Sequence, residues 1–216
     1  MIQLFEKSLV IRLILVVGVL VAIAMWIWIQ PTTNTEWIRL ASATVAFTAV
    51  GLGILAASPL WRIMWWVVRP LNWWIFPDLN GEWQVVMRSN IGKLAEFHPD
   101  LKGVEPRTEI TGTITIKQSL LGIVLVFRGD DKYSNSETTF VKVVRTKGSG
   151  RFKLAYVYEN DTPTPLKSDE QRHFGAGQLE VFWVDGDIKL EGLYWTNRRW
   201  ADGLNTAGTI TMARNS

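Results

Sequence analysis

Two patterns of hydrophobic and polar positions divide the chain at Pro77. Before it, apolar residues run on without a period. Leu13 to Ile29 gives 17 residues without a charge, the uncharged run continues to Thr35, and Leu40 to Trp61 gives another 22. Roughly 20 apolar residues cross a hydrocarbon core about 30 Å thick, so both runs qualify as membrane spans. The seven-residue connector from Pro31 to Trp37 predicts an antiparallel hairpin. A cleaved signal peptide is disfavoured: no small-x-small site follows the first run before Pro31, and a second span comes directly after it. Trp61 to Phe76 is predicted as an interfacial helix with Arg62 and Arg69 facing headgroups.

After Pro77 the pattern changes to short segments rich in β-branched and aromatic residues, separated by turn signals. Eight strands are predicted: Gly81–Arg88, Thr108–Gln118, Gly122–Phe127, Thr138–Thr146, Arg151–Glu159, Gly177–Val184, Ile188–Thr196 and Ala207–Arg214. Ile110, Gly112, Ile114 and Ile116 share one face, opposite Thr111, Thr113, Thr115 and Lys117. Ile188, Leu190, Gly192 and Tyr194 likewise oppose Lys189, Glu191 and Leu193. Lys147-Gly148-Ser149-Gly150 and Asp185-Gly186-Asp187 are short enough for antiparallel hairpins, whereas Gly129-Asp130-Asp131 leads into a longer polar loop. No helical period separates the strands, which argues against a parallel α/β sheet. The fold class predicted is therefore a membrane α hairpin, residues 1–76, followed by an all-β domain, residues 77–216. For that domain an eight-stranded antiparallel up-and-down β-barrel fits, since closure removes exposed edges and eight strands can enclose one small ligand. An open sandwich is the alternative. Asn90–Arg107, with His98-Pro99 inside it, is the long irregular stretch, placed as a loop over a barrel mouth.

Charge refines this division. The net +3 and the basic composition could suggest a nucleic-acid footprint. However, residues 1–77 hold five Lys/Arg (Lys7, Arg12, Arg39, Arg62, Arg69) against Glu6 and Glu36, while residues 78–216 hold eighteen of each sign. The excess is thus a topology label: Lys7 and Arg12 precede the first span, Arg62 and Arg69 follow the second, and both termini are expected in the cytoplasm. Trp26, Trp28 and Trp37 cluster at one membrane face, and Trp61, Trp65, Trp66, Trp73 and Trp74 at the other. Small residues along the second span (Ala41, Ser42, Ala43, Ala46, Ala49, Gly51, Gly53, Ala56, Ala57) let it pack on the first span or on another copy. Neither span holds a central ionisable residue, which argues against a proton relay or ion-coupled transporter.

Candidate chemistry is sparse. With no Cys and two His, thiolate catalysis, disulfides and thiolate zinc sites are excluded, and no metal is expected. Gly-x-Ser-x-Gly, Walker, paired-His and EF-hand motifs are lacking, and no catalytic residue is assigned. Asp185/Asp187 and Asp130/Asp131 are read as turn acids, and His98 as a surface residue. A more specific set lies late in the chain. Tyr156, Tyr158 and Asn160 share a strand face, His173 opens the next strand region, and Tyr194, Thr196, Arg198 and Arg199 end another. Aromatics stack on bases, amides and hydroxyls read base edges, and Arg forks grip phosphate. The same tyrosines could equally be barrel core, and the two arginines a solvated turn.

The order of parts resembles a CBASS antiphage effector of the SMODS-associating two-transmembrane β-strand-rich family. Two short-linked spans are followed by Pro77-Asp78-Leu79-Asn80-Gly81-Glu82-Trp83, then Tyr156-Val157-Tyr158-Glu159-Asn160, Pro163 and His173-Phe174-Gly175. Gly192-Leu193-Tyr194-Trp195-Thr196-Asn197-Arg198 and Gly208-Thr209-Ile210 close the match, and Ser134 and Ser136 correspond to the family's serine-rich loop. Trp195 replaces a smaller aromatic of the family pattern and is expected to bear on the pocket's shape.

The resemblance implies a receptor-effector of the bacterial inner membrane. A neighbouring nucleotidyltransferase would make a cyclic dinucleotide, the barrel would bind it as ligand rather than cofactor, and the spans would then associate as a homo-oligomer and disrupt the lipid bilayer. Tyr156, Tyr158 and Tyr194 would line the pocket, Arg198 and Arg199 would neutralise phosphate, and Asn160, His173 and Thr196 would supply hydrogen bonds. A membrane-anchored carrier or protein-binding scaffold is the alternative from another class.

Overall fold

Why the apolar runs become helices is visible at their ends. The structure, a computed structural model, describes residues 7–98, 101, 105, 107–131, 133–146, 148–165 and 169–214, with backbone alone for 7–10 and 13. Glu6, Pro99 and Lys147, used above, lie outside the described residues. Helix α1 covers Lys7–Ile29 and α2 covers Asn34–Ala57. Thr33 and Glu36 form a capping box: Glu36 N donates to Thr33 Oγ1 at 3.4 Å, and Glu36 Oε2 accepts from Thr33 N at 3.0 Å. The box starts α2 at Asn34, so the connector is shorter than the predicted Pro31–Trp37. A methyl group built on Gly18 would lie 4.0 Å from Thr48 Cγ2, which marks where α1 approaches α2. Gly51 and Gly53 have no neighbour within that range and leave a small-residue face of α2 uncovered. Length and composition suffice for α2 to cross a membrane; the apolar part of α1, Ile14–Ile29, is shorter.

The single interfacial helix expected over Trp61–Phe76 is two pieces, α3 (Leu60–Val67) and α4 (Leu71–Trp74), divided at Pro70, which has no N–H for a continuous helix. Arg62 does not simply face headgroups, since its Nε pairs with Asp78 at 2.7 Å. The tryptophans of this segment also divide. Trp61 and Trp65 are buried edge-to-face with ring centroids 5.2 Å apart, and Trp65 Nε1 donates to the Phe76 carbonyl at 2.7 Å. Trp66, Trp73 and Trp74 remain exposed. These residues, with Met1–Asp78 and the Ser119–Gly122 turn, form one compact unit; Leu79–Gln118 and Ile123–Ser216 form the second.

That second unit is a closed antiparallel barrel in sequential order. Its strands are β1 (Gly81–Ser89), β2 (Glu109–Gln118), β3 (Ile123–Gly129), β4 (Asn135–Arg145), β5 (Phe152–Asp161), β6 (Arg172–Val184), β7 (Asp187–Thr196) and β8 (Ala207–Arg214), with β8 paired back on β1. The sandwich alternative is thereby set aside. Period-two alternation holds as expected: Ile114 and Ile116 on β2, and Leu190 and Tyr194 on β7, point inward and are buried. Three expectations are corrected. The β3–β4 connection is a short turn rather than a long loop, because β4 begins at Asn135; a bulge between Thr138 and Phe140 masks its early alternation. Strand β6 begins at Arg172, five residues before the predicted start. The stretch after β1 is not wholly irregular: α5 (Ile91–Phe97) packs Ile91 with Leu101 and Leu204.

The barrel interior is solid at one end and hollow at the other. Trp83, Leu154, Leu179, Val181, Leu190 and Met212 fill the solid end, each at most 1% exposed. At the hollow end the inward positions become glycine, serine, threonine and asparagine, and a cavity opens among the β1–β2, β3–β4, β5–β6 and β7–β8 connections.

Candidate ligand pocket

The solvent-accessible volume inside the cavity is about 120 Å³, and its mouth is open. Its floor is apolar, built from Met87, Ile110, Ile114, Leu125, Phe127 and Ile210. Above the floor stand Tyr156, Tyr158 and Tyr194, and each is seated by a glycine on the neighbouring strand. In the strand register Tyr156 faces Gly177 and Tyr158 faces Gly175, while Tyr194 faces Gly208. A methyl on Gly177 would come within 2.4 Å of Tyr156 Oη, and one on Gly175 within 2.3 Å of Tyr158 Cζ. The missing side chains are therefore what lets these rings lie against the wall. Tyr156 and Tyr158 ring centroids are 6.0 Å apart. Burial raises the pKa of all three phenols, with neighbouring tyrosine charge adding to the effect at Tyr156 and Tyr158, so their hydroxyls stay protonated as donors.

A ring of buried polar groups lies at the same level. Asn160, Thr162, His173, Thr196 and Thr206 are each 9% exposed or less, and all five line the cavity. Ser134 Oγ donates to Asn160 Oδ1 at 2.6 Å, Asn160 Nδ2 donates to Thr162 Oγ1 at 3.0 Å, and the hydroxyls of Thr196 and Thr206 are 3.0 Å apart. Two buried polar atoms here find no hydrogen-bond partner among the described residues: His173 Nδ1 and Arg198 Nε. Burial, reinforced by the Arg198 charge and partly opposed by Glu170, lowers the His173 pKa from 6.5 to about 4. At neutral pH the imidazole is uncharged and keeps both donor and acceptor capacity.

Arg198 enters the cavity mouth from the β7–β8 connection and pairs with Asp169 from the β5–β6 connection. Asp169 also accepts the Tyr133 hydroxyl. Arg199 is placed elsewhere: it adopts a left-handed backbone, φ 41°, pairs with Asp202 at 2.9 Å, and does not line the cavity. The turn that aims Arg198 inward places its neighbour Arg199, expected on phosphate, outside the cavity lining. Trp195 is also outside, half-exposed on the outer wall by strand alternation, so it does not shape the pocket as expected. His98 Nε2 lies 2.9 Å from the Asp202 carbonyl and ties α5 to the β7–β8 connection.

Seven of the eight residues singled out from sequence thus line one cavity: Tyr156, Tyr158, Asn160, His173, Tyr194, Thr196 and Arg198. Sequence reading missed Arg107, Tyr133, Asp169, Thr162 and Thr206. These stand beside strands or on connections, where no period marks an inward position. Ser89 could have been found, since it continues the inward series Val85, Met87 on β1. No group of three or more acidic, His or Cys side chains suited to a metal ion occurs among the described residues.

Residues 74–214 match the family described as Cap15, cyclic dinucleotide receptor domain. CD-NTase-associated protein 15 of Escherichia albertii is 29% identical over 176 residues, covering 79% of this chain and 80% of its own length. The chain belongs to the Cap15 cyclic dinucleotide receptor family, as the resemblance to CBASS effectors implied.

Proposed function

We propose that this member of the Cap15 receptor family is a ligand-gated membrane effector of antiphage defence. A cyclic dinucleotide made by a neighbouring nucleotidyltransferase enters the barrel, and its occupancy drives association of α1–α2 hairpins and disruption of the inner membrane. The observation that carries this reading is the convergence of three glycine-seated tyrosines, Arg198, and the unpartnered His173 Nδ1 and Arg198 Nε on one cavity. Buried polar atoms without partners cost free energy, about 1–3 kcal/mol each, unless a ligand completes them. Tyrosine faces accept bases, the amide and hydroxyl ring reads base edges, and Arg198 takes a phosphodiester. The apolar floor supplies the burial.

The membrane part follows from composition. Exposed Ile, Leu, Val and Trp side chains cover α1 and α2, which suits lipid contact, and Lys7, Arg12, Arg62 and Arg69 flank the apolar segments on the side of both termini. Two spans with cytoplasmic termini place the barrel where a cytoplasmic second messenger reaches it. The uncovered Gly51 and Gly53 on α2 suit close helix approach between copies.

The test uses the full chain in dye-loaded vesicles of bacterial lipid, with a panel of cyclic dinucleotides covering purine and pyrimidine pairs. One member is expected to trigger dye release and, in parallel, a ladder of cross-linked oligomers. A ligand that binds but produces neither would overturn the effector role.

A further inference from the structure

A cyclic dinucleotide carries two phosphodiesters, yet one of the two arginines expected for them, Arg199, turns away from the cavity. The second cation on the cavity wall is Arg107, just before β2; Arg107 and Arg198 are the Lys/Arg residues that line it among the described residues. Each is matched by a carboxylate: Arg107 pairs with Asp131 and Arg198 with Asp169. Tyr133 connects the two pairs. Its ring lies under the Arg107 guanidinium, 4.6 Å from centroid to Cζ, and its hydroxyl donates to Asp169. Arg107, Tyr133, Asp169 and Arg198 thus converge on a single mouth from the β1–β2, β3–β4, β5–β6 and β7–β8 connections, while Asp131 holds Arg107 from outside the cavity lining.

We infer that Arg107 is the second phosphate-binding residue of this pocket and that Asp131 and Asp169 compete with the ligand's two phosphodiesters for the two guanidinium groups. The inference rests on the cyclic-dinucleotide reading given above. A planar guanidinium binds carboxylate and phosphodiester oxygens through the same fork. Ligand entry is then an exchange of anions: the two aspartates leave the arginines, and the phosphodiesters replace them. Tyr133 links the two exchanges, because its hydroxyl donates to Asp169 while its ring lies against the Arg107 guanidinium. A mononucleotide or a neutral ligand completes one exchange or none, so the clamp selects for two phosphates at a fixed separation.

The test exploits the fact that Arg107→Ala and Asp131→Asn break the same ion pair. If the pair is only a structural staple, both substitutions shift ligand affinity in the same direction. If Arg107 holds phosphate and Asp131 competes for it, they act oppositely. Calorimetry on the full chain in detergent micelles, with the tightest member of a cyclic dinucleotide panel, is expected to show tenfold to hundredfold weaker binding for Arg107→Ala. Asp131→Asn and Asp169→Asn are each expected to bind severalfold more tightly than the unaltered chain. Arg107→Lys, which keeps charge but loses the fork, should fall between. Unaltered affinity in Arg107→Ala alongside lost binding in Arg198→Ala overturns this inference and leaves the receptor reading intact. Weakening by both Arg107→Ala and Asp131→Asn overturns it as well. Failure of the unaltered chain to bind any panel member overturns the underlying reading instead.

Discussion

At the residue scale, burial beside Arg198 makes the charge state of His173 sensitive to pH below neutrality. Its folded pKa of about 4 lies below the unfolded value of 6.5, so the unfolded chain binds the additional proton between those limits. The barrel therefore has its full His173-linked stability above pH 6.5 and loses it as pH falls toward 4. The loss is about 2 kcal/mol from pH 7 to pH 5. Thermal unfolding across this range is expected to show the fall, and His173→Gln is expected to flatten it. On the proposed reading a phosphodiester on Arg198 offsets the charge that lowers the His173 pKa, so ligand binding near pH 5 is expected to take up protons, which calorimetry in buffers of different ionisation enthalpy reads directly. Ser134 offers a second check. It donates to the buried Asn160 at 2.6 Å, and Ser134→Ala leaves that amide oxygen to the cavity. A loss of about 1 kcal/mol in stability is expected, with changed preference among bases.

At the element scale, the strands explain which parts of the site could be read in advance. Inward positions at the solid end are large and apolar, Trp83, Leu154, Leu179, Val181, Leu190 and Met212 among them, so alternation is legible there. The strand ends that escaped are those that face the cavity. On β6 the inward residues His173 and Gly175 carry no hydrophobic signal, and on β4 Ser136 precedes a bulge that breaks the count. Polarity that serves a ligand erases the pattern that marks a core. The glycines show the same division of labour. On Gly177 an added methyl meets the Tyr156 ring, which can swing away, whereas on Gly192 it would lie 1.8 Å from the Gln178 carbonyl oxygen. Gly177→Ala is thus expected to lower ligand affinity with a stability cost near 1 kcal/mol, and Gly192→Ala to destabilise the barrel by about 2–3 kcal/mol. Paired affinity and denaturant measurements separate the two; similar stability losses would contradict the glycine-seat account.

At the scale of the whole molecule, the two compositional regimes of the chain correspond to two physical tasks. The apolar segments carry the excess of positive charge, five Lys/Arg against two acids in residues 1–77. The charge-neutral barrel buries aromatic and polar groups around a cavity whose described lining includes Arg107 and Arg198. Tryptophan follows the same division less cleanly than expected, because Trp61 and Trp65 are buried against their own unit instead of anchoring at a headgroup layer. Binding that rests on Arg198, which is mostly buried against Asp169, should weaken with salt less steeply than binding to a basic surface, since a mostly buried pair is poorly screened. The most direct measurement is calorimetric titration of the full chain and of Arg198→Ala with a panel of cyclic dinucleotides. One panel member should bind the unaltered chain with a single site per barrel, and Arg198→Ala should weaken it at least tenfold while its unfolding temperature stays within a few degrees. Absence of heat and of any thermal shift across the whole panel would contradict a cyclic dinucleotide receptor in this barrel.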